Sequence, residues 1–137
     1  ITNGIRSANV ALHAEFQGAI GVILNSPAPH ETIRYVKEHI DIPVIASIAT
    51  LRTDIKGKIE AGADILNVSG GKATVDIIKD IRKEYPYISI IATGGSDEKS
   101  IIRTIEAGAN SIIYTPPSIS TLFKEKMNTY REGELTD

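Results

Sequence analysis

Between Ala19 and Thr115 the chain passes five times from a short, nearly unbroken apolar run to a longer stretch where apolar residues return every three or four positions. The runs Ala19–Asn25, Val44–Ala49, Ile65–Val68, Ile88–Ala92 and Ser111–Thr115 are rich in Ile, Val and Ala and do not alternate with polar residues. Strands covered on both faces read this way, so the pattern predicts a parallel sheet. The intervening stretches predict helices over Glu31–His39, Thr53–Ala61, Thr74–Tyr85, Asp97–Ala107 and Ser120–Arg131, after an opening helix at Ile5–Phe16. In the fourth of these six, Val75, Ile78 and Ile81 define an apolar stripe, with Asp76, Lys79, Asp80, Arg82 and Lys83 filling the opposite face. This is an α/β chain of parallel βα repeats.

A longer period overlies the unit repeat. "IEAGAD" (Ile59–Asp64) returns as "IEAGAN" (Ile105–Asn110), which puts Gly62 and Gly108 46 residues apart, just past a helix end where a left-handed residue is needed. "IPVIA" (Ile42–Ala46) likewise returns as "ISIIA" (Ile88–Ala92). Resemblance between alternate strands is expected of a (β/α)8 TIM barrel, whose odd and even strands fill different interior layers. The alternative is a flavodoxin-like doubly wound sheet, which five βα units also suit.

With 137 residues, a formal charge of −2 and no cysteine, the chain is expected to be one domain without disulfides or thiolate metal sites. Nothing basic enough for nucleic acid or a membrane surface is present, and no run is long enough to span a bilayer. A cytoplasmic location is expected. The chain opens with Ile1 rather than Met, consistent with a piece of a larger barrel.

The candidate chemistry lies where strands hand over to helices. Gly94-Gly95-Ser96 follows an apolar strand and precedes a helix, so free backbone N–H groups there could hold a phosphate; the other reading is a tight turn. Ser69-Gly70-Gly71 offers a second glycine pair in the neighbouring loop, and Thr93 and Thr115 end their strands with hydroxyls. "SGGK" lacks the upstream glycine of a nucleotide P-loop. Ser96 is expected to cap its helix. His13 and His39 fall on helices, whereas His30 lies in the loop after the first strand, either as a general base or merely exposed to solvent. No spacing suits a metal, and no cofactor is called for. The strand ends otherwise carry hydroxyls, amides and glycines, which bind an anion without supplying an acid or base.

From Gly18 to Tyr130 the pattern resembles the C-terminal five units of a phosphate-binding TIM barrel, most closely the 2-keto-3-deoxy-6-phosphogluconate aldolase family. "IPVIASIAT" (Ile42–Thr50), "ADILNVSGG" (Ala63–Gly71), "IIATGGS" (Ile90–Ser96) and "SIIYTPPS" (Ser111–Ser118) resemble its fifth to eighth strands. The resemblance implies that three βα units are missing from the front. It also implies a lyase or isomerase acting on a phosphosugar or phospho-keto acid, with the phosphate at Ser69, Gly70, Gly71, Thr93, Gly94, Gly95, Ser96 and Thr115. Where that family has its Schiff-base lysine this chain has Asn67, which cannot form an imine, so Asn67 and His30 are the residues left for catalysis. Pro116 and Pro117 replace glycines of the last loop and have no N–H to donate. A non-catalytic, phosphate-ligand-binding or regulatory barrel fits the same residues. The expected partner is a small phosphorylated metabolite, and a homo-oligomer is compatible with all of this.

Overall fold

The computed structural model describes residues 2–25, 28–94, 98–114 and 119–136. Its elements follow in the order α1 (Thr2–Phe16), β1 (Val22–Leu24), α2 (His30–His39), β2 (Val44–Ile48), α3 (Ile55–Ala61), β3 (Ile65–Val68), α4 (Thr74–Glu84), β4 (Ser89–Thr93), α5 (Glu98–Ala107), β5 (Ser111–Ile113) and α6 (Ile119–Thr136), with a 3₁₀ turn at Gly71–Ala73 leading into α4. The five strands pair in sequence order, β1-β2-β3-β4-β5, and every pair is parallel. A flavodoxin-like sheet would place its first strand between the second and third. Consecutive order belongs to a barrel wall instead. The outer strands are shorter than the sequence suggested, three residues each, because each has a neighbour on one side only.

Side chains alternate across this sheet. Val44, Ala46, Ile48, Leu66, Val68, Ile90 and Ala92 point into one buried cluster with Ile33 and Val36 of α2 and Ile77, Ile78 and Ile81 of α4. The helices therefore cover that face, as right-handed crossovers between parallel strands require. Small and large residues meet across it, Ala46 beside Leu66 and Leu66 beside Ile90. The opposite face carries Ile23, Ile45 and Ile65 in one row and Ser47, Asn67 and Ile91 in the next. In a closed barrel that face is the interior.

The 46-residue period has a structural cause at the N-terminal edge of the sheet. The Asp64 carboxylate accepts from the Val44 N–H at 2.9 Å and from Lys37 Nζ at 2.7 Å. The Asn110 carboxamide oxygen accepts from the Ile90 N–H at 2.8 Å and from Arg82 Nη2 at 2.7 Å. In each unit the side chain before a strand ties down the start of the preceding strand and a cation from the helix that leads into that preceding strand. The glycine two residues earlier makes room for that cation. A Cβ at Gly108, where φ is +122°, would lie 2.7 Å from Arg82 Cγ, and Gly62 stands in the same relation to Lys37.

Candidate functional site

On the face away from the helices, near the C-terminal ends of the strands, three polar side chains form a chain across β2, β3 and β4. Asn67 Nδ2 donates to Ser47 Oγ at 3.3 Å, and Thr93 Oγ1 donates to Asn67 Oδ1 at 2.6 Å. Ser47 and Asn67 are both buried. Buried amides and hydroxyls must be bonded to be tolerated, and here they satisfy one another. Among the described residues, this face of the sheet carries no ionisable side chain. The row can orient a ligand through neutral hydrogen bonds but cannot itself take up a proton.

The amides expected to receive a phosphate are in part already committed. The Gly94 N–H donates to Ile113 O at 3.1 Å, which carries the β4–β5 ladder one residue past the end of β4. The Gly70 N–H donates to Thr74 Oγ1 at 3.0 Å, and the Ser69 N–H to Ile48 O at 2.8 Å. A phosphate cannot take those three donors, a correction to the free-amide expectation at these positions. The reason is that sheet pairing reaches into the loops. Gly94 nonetheless has φ +116°, and a Cβ built on it would meet nothing, so its outer side faces open space; Gly71, with φ +59°, is alike. Gly95, Ser96 and Thr115 lie outside the described residues.

Beside Gly94 a cavity of about 270 Å³ opens between α4 and α5, lined by Gly71, Lys72, Thr74, Thr93 and Arg103 among others. Sequence reasoning passed over Thr74 and Arg103; only the packing of α5 against α4 brings Arg103, nine positions after Gly94, to the same opening. A larger cavity, about 640 Å³, runs under α1 along the free edge of β1 and has Asn25 at its end. It is largely apolar and lies where a neighbouring strand would pair.

His30 is the first residue of α2, and its side chain turns toward the helix layer. Its Nε2 is 3.9 Å from Asp54 Oδ2, and its ring occupies the space a Cβ at Gly57 would need. Asp54 caps α3 by accepting from the Gly57 N–H at 3.0 Å. Deeper in the same cluster Lys58 is buried, its Nζ donating to Ala28 O at 2.9 Å and thereby pinning the loop that leads to His30. Burial lowers the Lys58 pKa below the ordinary lysine value, and the charge of Asp54 partly opposes that. The structure thus separates the two catalytic candidates. Asn67 is on the sheet's inner face, whereas His30 packs against α3.

No protein-family model matches the chain, and neither does any curated protein sequence. Solved structures do match. Mandelate oxidase with benzoyl-formic acid superposes with a TM-score of 0.70 at 16% identity, covering 82% of this chain and 46% of that one. A mandelate oxidase variant with the C4a-OH-FMN adduct gives 0.71 at 16% identity, covering 85% and 47%. The fold is part of a TIM barrel. The chain spans less than half the length of the solved chains it matches. The resemblance to the 2-keto-3-deoxy-6-phosphogluconate aldolase family is corrected by these neighbours, which are oxidases; strand-end "TGG" and "SGG" are short enough to recur in different barrels. Among the described residues no helix is long and apolar enough to cross a membrane.

Proposed function

We propose that this chain forms the C-terminal, ligand-holding part of a (β/α)8-barrel enzyme whose ligand carries a phosphate, with flavin mononucleotide the first ligand to test. The observation that carries this reading is the row Ser47–Asn67–Thr93, which leads along the inner face straight to Gly94 and its open outer side. A carboxamide flanked by hydroxyls suits the amide-like edge of a planar ring. The mandelate oxidases that share the fold supply the choice of flavin, one of them holding an FMN adduct. The residues present fit the group: Asn67, Ser47 and Thr93 would face the ring, and the positively charged opening beside Gly94 would take the phosphate. Bound flavin supplies hydride chemistry that no side chain of this face can perform. Ring fluorescence on titrating FMN into the full-length protein tests this. Quenching that weakens about tenfold in Asn67→Ala supports it, and equal affinity in both proteins refutes it.

A second reading, a lyase or isomerase acting on a phosphosugar or phospho-keto acid, is favoured by the His30–Asp54 pair at the start of α2, which could move a proton if the ring turned from α3. Carbonyl loss or aldol cleavage with phosphosugars, absent in His30→Gln, is its test.

A further inference from the structure

The geometry points to the cavity between α4 and α5 as a binding site for a phosphomonoester dianion, with Lys72 and Arg103 as its charged contacts. The two cations come from different elements, Lys72 from the 3₁₀ turn before α4 and Arg103 from the second turn of α5, and they line one opening of about 270 Å³. That volume is several times the ~30 Å³ share of a liquid water, room for a tetrahedral anion with a short stem. Among the described residues neither cation has a carboxylate within ion-pair distance; Arg103 Nε reaches only Lys99 O of its own helix, at 3.4 Å. An excess of two positive charges over one hollow, with no acid among the described residues that line it, favours a doubly charged anion over a neutral group.

The lining is polar as well as positive. Thr74 is only 7% exposed, and its hydroxyl oxygen already accepts the Gly70 N–H, so its proton remains to be donated. Gly71 and Gly94 turn their bare Cα sides to open space, which lets an anion approach the backbone closely. Thr93 joins this cavity to the inner face: it lines the opening while its hydroxyl points to Asn67. The phosphate end of a rim ligand can therefore sit outside the row of strand ends, between the helices, while its body lies across Asn67. This deepens the function proposed above and rests on that reading for the ligand's body, but the anion site stands on its own residues.

Isothermal calorimetry on the full-length protein decides it, using inorganic phosphate, FMN and riboflavin as probes against wild type, Lys72→Ala, Arg103→Ala and Asn67→Ala. Both cations are exposed, so their removal should leave the fold intact, checked by circular dichroism. Each cation variant is expected to weaken phosphate and FMN by about tenfold or more while leaving riboflavin unmoved. Phosphate that fails to bind wild type, or binds it and both cation variants alike, overturns the site. Cation-dependent phosphate binding without any flavin binding upholds the site and sinks the flavin reading. FMN binding that needs Asn67 but ignores Lys72 and Arg103 does the reverse.

Discussion

Arg82→Met should be among the more damaging single changes on the surface of this chain, although Lys37→Met, its counterpart one period earlier, should be mild. The Arg82 guanidinium donates five hydrogen bonds: to Gly108 O at 2.9 Å, Tyr85 O at 3.2 Å, Pro86 O at 3.2 Å, Ile88 O at 2.6 Å and Asn110 Oδ1 at 2.7 Å. Four of its acceptors are backbone carbonyls at the end of α4, in the turn before β4 and past the end of α5. Methionine keeps most of the stem packing but removes every donor. Hydrogen bonds from charged donors contribute up to about 3 kcal/mol when the acceptor is left stranded, but these acceptors are half-exposed and regain water, so ~0.5–1 kcal/mol each gives about 2.5–5 kcal/mol in all. Among the described residues Lys37 makes one hydrogen bond, to Asp64 at 2.7 Å, between side chains 38% and 39% exposed. Screening holds such a pair below about 1 kcal/mol. With a urea slope of roughly 1.5 kcal/mol per molar, the midpoint should fall by roughly 2–3 M for Arg82→Met and by less than about 0.7 M for Lys37→Met. Equilibrium urea unfolding followed by circular dichroism measures both. Equal midpoints for the two variants would show that the guanidinium network is a surface decoration and that the period has some other cause.

Gly57→Ala should destabilise by about 1–3 kcal/mol, against the usual gain of a helical glycine-to-alanine change, because the new methyl meets the His30 ring and the Asp54 carboxylate; adding His30→Ala should recover most of it in thermal melts. Lys58 has a folded pKa below its unfolded value, so the unfolded chain binds more protons between the two and stability rises with pH through that window, up to about 10.5. Lys58→Met should abolish the rise, and urea midpoints taken at several alkaline pH values will show whether it does. Asn67→Ala removes one buried and one part-buried hydrogen bond and should cost about 1–2 kcal/mol of stability in the same unfolding assay. A larger loss would mean that Asn67 holds the sheet together rather than waiting for a ligand.

Much of the architecture was legible because buried parallel strands have a composition of their own. Val44–Ile48 and Ile65–Val68 emerge close to where their apolar runs predict. The repeat was legible as well, but not what it does, since the spacing of Gly62 and Gly108 says nothing about Lys37 and Arg82 filling the room those glycines leave. The site was harder to read. Whether the Gly94 N–H is available depends on how far β5 pairs with β4, a matter of register that one strand's residues do not encode. Arg103 is invisible as a site residue for a related reason: only the packing of α5 on α4 decides which of its polar residues looks at the opening. His30 reads in the sequence as a loop residue after the first strand, but it opens α2, and the glycine that receives its ring lies 27 residues further on.

The two ends of this sheet divide the work. At the N-terminal edge the charged groups face backbone and a side-chain acceptor, Lys37 the Asp64 carboxylate and Arg82 the neutral Asn110 carboxamide, and each bond ties one βα unit to the next. At the C-terminal edge, among the described residues, some polar groups are left over by the fold: Thr74 keeps a proton, Lys72 meets no acid, and Gly94 opens outward. Parallel barrels permit this separation because every strand points the same way and gathers its C-terminal loops at one end, although the amides of Ser69, Gly70 and Gly94 there are already bonded within the fold. Substitutions at the first edge should therefore move unfolding midpoints and leave ligand affinity alone, and substitutions of Lys72 or Arg103 should do the opposite. Asn67→Ala, which breaks bonds to both Ser47 and Thr93, is the exception expected to move both; any other variant at either edge that did so would mean that the ligand-holding rim is itself part of what holds the sheet together.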